Sequence, residues 1–491
     1  MTQDVERAKI VQSKRPRTHW ASIYVASGLS FVGSVQFSLY FAALWPYIKM
    51  LDSDITEDFY GLTVAVYSLG QVISAPAFGA WSNMVKQVRS PLTAGMLMML
   101  VGNIIYLFME GIPIPRRYIL LVCRFITGMG SGNIALITYI CVNSQSQCRS
   151  GPEQLHLPAF QYAFTPFKYP GWAIFGSFHL NLYTMPAYLA CTINVLGIIA
   201  LYTLFVEKYD GIVEEPPSSS ASTVEKGQRR ASRMSLRKLP MYDIIAVLVC
   251  YATRFVDMFV RSQLETLGSP FSMMMFGLKD HEAVRYVSLA QGIVGFITLT
   301  VYLIVIFGNL EEYINFRMGC IVSLLMMFLF HLTTYAWPVW DKQCSNVYNS
   351  TSIEQKVGCD TSIFTWCNNL PAINVWFYYF AYVVFIGISF PLLTITLNVL
   401  FSRILGPRRQ GTQQGFFQAS SALARMIGPL AASYLYSAKG PKPVWIMEMA
   451  IIGAVLASWF LFYSRLVALR MPQSIRKLSI SVSRRLSRTK I

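Results

Sequence analysis

Charge is what this chain has least of. Only 13% of its 491 residues are Asp, Glu, Lys or Arg, and 54% are hydrophobic, whereas soluble domains carry about 25% charged residues. So few ionic groups cannot hydrate the surface of a soluble fold of this length, which excludes water as the main solvent. Cysteine is sparse as well. The 9 cysteines lack the paired Cys/His spacing of a metal site, and those in apolar runs read as packing residues. No Walker loop and no nucleophile motif occurs, so neither ATP-driven nor enzymatic chemistry is expected, and neither is a cofactor.

What the chain has instead is long apolar runs. Eleven are clear, at 20–44, 60–80, 92–109, 118–142, 183–206, 242–262, 285–308, 317–337, 374–402, 412–437 and 443–464. A hydrocarbon layer about 30 Å thick takes about 20 helical residues to cross. The runs have that length, not the roughly ten-residue alternation of a membrane barrel, so the expected fold class is an all-α polytopic membrane protein with the lipid bilayer as solvent. Met1 to His19 is polar and basic without an apolar stretch, so the first span is expected to act as the targeting signal.

The net charge of +17 would suggest nucleic acid, but its placement does not. Of 41 Lys and Arg, 20 lie in residues 1–19, 207–241 and 465–491, the termini and the longest central loop. Basic flanks mark the cytoplasmic side, and no basic face interleaved with aromatics appears, so no nucleic-acid partner is expected. The segment 207–241 has linker composition, with Glu214 to Ser220 reading Glu-Glu-Pro-Pro-Ser-Ser-Ser. It divides a transmembrane half at 20–206 from a second at 242–465, followed by a basic tail at 466–491. The loop at 338–373 holds the sequon Asn349-Ser350-Thr351 together with Cys344, Cys359 and Cys367, which fits a lumenal position. Five runs precede the linker and six follow it. An even number is needed to return the chain to the cytoplasm, yet residues 143–182 contain no 18-residue apolar run. Two six-helix halves are therefore expected, with the fifth helix absent or degenerate.

Several blocks then point to a family. Ala43-Leu44-Trp45-Pro46-Tyr47, Tyr67-Ser68-Leu69-Gly70-Gln71 and Phe78 to Asn83 come first, followed by Arg124 to Asn133, Asn181 to Pro186 and Leu264-Glu265-Thr266. Ile404 to Gly411 and Ala424 to Pro429 complete the order. Together they resemble the ceroid-lipofuscinosis type 7 family, also called the major facilitator superfamily domain-containing protein 8 family, from residue 20 to 465. The resemblance implies the major facilitator fold and a lysosomal or endosomal membrane, with the plasma membrane as the alternative. It also implies a disulfide between Cys359 and Cys367, since the family has a similar Gly-Cys and Trp-Cys pair. The family's fifth span falls on the stretch without an apolar run, and Asn83 stands where the superfamily's gating loop usually has aspartate.

A charge inside a bilayer costs roughly 2.5 to 3.5 kcal/mol on insertion scales, so each one needs a reason to be there. Arg254, Asp257, Arg261 and Glu265 recur at spacings of three and four, which places them on one helical face with alternating sign. They read either as part of a solute or ion pathway or as mutual neutralisation that fixes packing. Arg124 precedes Gly128, Gly130 and Gly132, small residues that let helices approach closely, and its planar fork suits an anion or a structural acid. Gln418 and Arg425 share a face with Gln414 and Ser421, and Gln71 is a further cavity candidate with interhelical hydrogen bonding as its alternative. Tyr209 and Ile212 form a tyrosine-based sorting pattern for adaptors, and Ser232 and Ser487 follow paired arginines as candidate phosphorylation sites. Two functional readings stand. One is a transporter or anion channel, with chloride a candidate, that moves a small solute by alternating access. The other is a non-transporting scaffold, trafficking protein or truncated isoform.

Overall fold

The computed structural model describes residues 22, 24–30, 33, 57–109, 115–133, 136–137, 172–175, 178–181, 183–206, 240–308, 314–338, 358–359, 364, 366–367 and 370–469. Residues 22, 24–30 and 33 of the first apolar run are helical. The following helices are α1 (Glu57–Val85), α2 (Arg89–Leu107), α3 (Arg116–Ser131) and α4 (Met185–Thr203). After the linker come α5 (Ile244–Phe276), α6 (Asp280–Phe307), α7 (Phe316–Thr333), α8 (Val375–Ala381), α9 (Gly387–Leu405), α10 (Gly411–Lys439) and α11 (Pro441–Leu461). A π turn, Tyr382–Ile386, joins α8 to α9.

Local chemistry sets the helix ends. Asp243 caps α5 by accepting from the Ile245 and Ala246 amides, and Asn374 does the same for α8 through Trp376 and Phe377. Gly277 ends α5 in the left-handed region at φ 62°, where an L side chain would be strained. The π turn lies just before Gly387, whose carbonyl faces Pro391 four residues on. Proline offers that carbonyl no N–H and crowds it, and a widened turn relieves the crowding.

Seven helical segments among the described residues are long and apolar enough to cross a membrane: Gly61–Val85, Arg89–Leu107, Met185–Thr203, Arg285–Val305, Phe316–Thr333, Val375–Leu405 and Pro441–Leu461. Three further helices fall outside that description. They are α3, α5 and α10, which carry Arg124, the Arg254 to Glu265 stripe and Arg425. Packing explains how they are tolerated. Helix α10 lies along α1 and α5, and α3 lies against α1 and α2, so the polar helices meet protein on their polar faces while apolar ones surround them.

One element departs from an all-helical reading. Trp172–Phe175 and Phe178–Leu180 form an antiparallel two-stranded hairpin, with Trp172 opposite Leu180 and Phe175 opposite Phe178. It falls within 143–182, where the sequence has no run for a fifth helix. A short aromatic hairpin can pair its backbone groups there without the length that a spanning helix requires.

Candidate functional site

The seam between α1 and α10 is built on small residues. A methyl group on Gly79 would stand 2.2 Å from the Gly411 carbonyl oxygen, so the two backbones touch near the linker side of the bundle. Beside this contact the Asn83 side-chain amide donates to the Thr412 hydroxyl at 2.8 Å. A neutral hydrogen bond thus joins the halves at this loop. Gln413 ties the same end of α10 to α5 through the Tyr242 hydroxyl at 2.9 Å and through Tyr251.

Farther along, α3 approaches α1 so closely that a methyl on Gly128 would lie 2.1 Å from the Tyr67 carbonyl oxygen. The approach sets the Arg124 guanidinium over the Tyr67 ring at 4.8 Å, a cation–π contact strengthened by burial, since Arg124 is only 4% exposed. Across the seam, Arg425 lies within electrostatic reach of Tyr67, Glu265, Arg254 and Arg261, and it donates to the Met258 sulfur at 3.5 Å. Asp257 is fully buried, and its two oxygens are divided: Arg254 donates to one at 3.4 Å and Arg261 to the other at 3.3 Å. Arg254 also faces the Phe417 ring, and Arg261 lies 4.0 Å from the Phe390 ring centre. Arg124, Arg254, Arg261, Asp257, Glu265 and Arg425, picked out separately in the sequence, thus lie in one region reached by both halves. Among the described residues it holds four guanidinium groups and two carboxylates.

A cavity of about 40 Å³ adjoins Arg124 in the first half, bordered by Tyr67, Asn103, Asn133 and Asn194. That is room for a few water-sized groups or a small ion. Gln71, one turn beyond Tyr67, is buried at 1% exposure, and its Oε1 has no hydrogen-bond partner among the described residues. Gln418 is buried on α10, where its carbonyl accepts from the Ser421 hydroxyl.

Cys359 and Cys367 are joined, with Cα atoms 5.9 Å apart, and Trp366 beside them packs on Tyr436 of α10 at 5.9 Å. Asn349, Tyr209, Ile212, Ser232, Ser487 and Cys344 lie outside the described residues. The sequence reading missed Asn103 and Asn194, neutral and inconspicuous within apolar runs. It also missed Glu448, the one acid in its run, which the rule applied to the Arg254 stripe would have flagged, and its buried partner His331.

Apolar helices outside and a polar seam shared by two halves are the arrangement of a polytopic helical membrane protein. Residues 26–348 match the Major Facilitator Superfamily model, and the chain belongs to that family. It is a multi-pass membrane protein of a transporter family, not of an enzyme family. It is 26% identical to major facilitator superfamily domain-containing protein 8 of Xenopus laevis, over 95% of this chain and 96% of that protein, in line with the resemblance read from the sequence blocks. The fold is similar to that of the human organic anion transporter MFSD10 (TETRAN), with a TM-score of 0.58 at 15% identity, covering 90% of this chain and 100% of that one. It is also similar to the Escherichia coli fucose:proton symporter FucP, with a TM-score of 0.57 at 11% identity, covering 92% and 100%.

Proposed function

We propose that the chain moves a small anionic solute, with chloride a candidate, across a lysosomal or endosomal membrane by alternating access of its two halves. The observation that carries this reading is the convergence of guanidinium groups from both halves on one seam, with Arg124, Arg254 and Arg425 buried. Arg124, Arg254, Arg261 and Arg425 face two carboxylates, of which Asp257 already serves two of the arginines. Clustered guanidinium groups in a poorly hydrated seam suit an anion, and their presence on both halves lets one anion be handed between them. The Gly79–Gly411 contact with its Asn83–Thr412 bond would close the linker side and separate when the halves rock. A similar fold in a transporter named for organic anions accords with this chemistry. The choice of organelle rests on the family resemblance, and sorting adaptors reading Tyr209 to Ile212 are the partners it calls for.

The test is anion flux in reconstituted vesicles, comparing the unaltered chain with Arg124→Ala and Arg425→Ala at matched incorporation. Flux above that of empty vesicles, falling about tenfold or more in either variant if each loses at least 1.4 kcal/mol of anion interaction, is expected. The hairpin within 172–180 favours a second reading, a non-transporting scaffold, because it occupies part of the stretch where the fifth span would lie. Background flux from properly folded protein would select the scaffold.

A further inference from the structure

The second half holds another buried polar group that the arginine seam does not use. His331 in the last turn of α7 and Glu448 in the second turn of α11 are in contact, with side chains 0% and 2% exposed. The His331 Nδ1 lies 2.8 Å from the Met327 carbonyl oxygen, an acceptor only, so Nδ1 carries a hydrogen and donates it. That fixes Nε2 toward the Glu448 carboxyl group, and a single proton in that contact leaves the pair neutral overall. The pair is walled by aromatic rings. Trp445 sits 6.2 Å from His331 and stacks on Phe271 at 4.8 Å, and Phe330 meets the imidazole edge-on at 5.0 Å.

Glu448 also borders a small cavity of about 10 Å³, shared with Gln263, Tyr378 and Trp445. Gln263 is only 1% exposed, and neither its Oε1 nor its Nε2 has a hydrogen-bond partner among the described residues. A buried amide left unpaired costs about 1–3 kcal/mol, so its placement needs an explanation. An amide is also versatile, since it donates to a carboxylate and accepts from a neutral carboxyl group. Gln263 thus borders the same small space as an acid already engaged on its other side.

We propose that His331, Glu448 and Gln263 form a proton-binding site, in which uptake of a second proton at Glu448 moves its carboxyl group from His331 to Gln263. The proton balance is simple. With one shared proton the pair is neutral. A proton from water on the disulfide side bonds to a carboxylate oxygen, His331 keeps a hydrogen on both ring nitrogens, and the site carries one positive charge. The new carboxyl O–H then donates to the Gln263 Oε1.

Other titratable groups frame the site. The Tyr378 hydroxyl on α8 is within electrostatic reach of Glu448, with Tyr382, Tyr379 and Tyr436 within reach of Tyr378 in turn. Arg261 and Glu265 of α5 lie within reach of Tyr382. On the two helices that hold the pair, Arg317 and Cys320 belong to the far end of α7 and Lys442 to the first turn of α11. Because α5 carries Gln263 as well as Arg254, Asp257 and Arg261, a change of partner at Glu448 acts on the helix that lines the proposed pathway. That link rests on the transporter reading; proton binding itself does not.

Acid-minus-neutral infrared difference spectra of the full chain in lipid nanodiscs test the site. The unaltered protein should show a carboxylic-acid band that disappears in Glu448→Gln and moves to higher frequency in Gln263→Leu, where its hydrogen-bond acceptor is gone. Should Glu448→Gln fail to fold, the Gln263→Leu shift decides alone. An identical band in all three proteins, or none in the unaltered chain, overturns the proposal. A Glu448 band in protein that carries no flux would reject the transporter reading and uphold the proton site, and flux without that band would do the reverse.

Discussion

Helices α5 and α6 are consecutive in the chain and pack together, yet they solve opposite problems. Helix α6 turns Leu289, Phe296 and Phe307 outward at 60%, 69% and 80% exposure, as a helix facing hydrocarbon must. Helix α5 carries four charged residues in 12 positions and buries Arg254 and Asp257 almost completely. In a soluble protein the assignments would be reversed, with the polar helix outside. Here lipid is the outer solvent, so the costly groups are drawn inward to one another and apolar side chains face out at little cost. Solvation alone divides the helices into a lipid-facing set and a seam-forming set.

That contrast can be broken most severely at Asp257. Asp257→Ala leaves Arg254 and Arg261 without their shared carboxylate in a buried site, a loss of about 3–5 kcal/mol. The expected result is a collapse of folded yield in detergent size-exclusion profiles, while Asp257→Glu retains most of it; equal yields would show that the arginines have other compensation. The converse change puts a charge on the lipid-facing helix. Phe296→Arg, near the middle of α6, should cost roughly 2.5–3.5 kcal/mol in a membrane-insertion assay, and Phe296→Leu almost nothing. Were the arginine inserted as readily as leucine, α6 would not face lipid. The smallest effect concerns how the seam is held from behind. The Trp459 indole N–H donates to the Thr253 hydroxyl at 2.9 Å, one residue before Arg254. Trp459→Phe removes that bond and should lower thermal stability by about 0.5–1.5 kcal/mol, measured by the melting of the purified chain; an unchanged Tm would mean that the bond orients α5 without stabilising it.

Most of the helices were legible in the sequence, because spans announce themselves by length and apolarity. Two runs are matched only in part: of 20–44 only residues 22, 24–30 and 33 are described, and of 118–142 α3 covers up to Ser131 while residues 134–135 and 138–142 lie outside the described residues. The 242–262 run is too short in the other direction. Polar residues hid the continuation of α5 to Phe276, since Gln263 and Glu265 depress hydropathy without breaking the helix. For the candidate site, the spacing of Arg254, Asp257, Arg261 and Glu265 disclosed one face. It could not disclose that Asp257 would be divided between two arginines, because rotamers decide that. His331 and Glu448 are 117 positions apart in the sequence and carry no motif, so their pairing had no signal beyond the oddity of an acid in an apolar run.

By itself the sequence determined the solvent, the class of fold and the identity of the charged residues that line the seam. Hydropathy and helical period are local properties, and a charge in an apolar run is costly wherever its helix lies. Only the tertiary structure decided which charges meet: Arg124 with Tyr67, Arg425 with the α5 stripe, Glu448 with His331, and Gln263 beside an acid it does not bond. Those partnerships depend on how closely helices can approach, set by glycines at contacts such as Gly79–Gly411 and Gly128–Tyr67, and close approach is a property of two surfaces that neither segment carries alone.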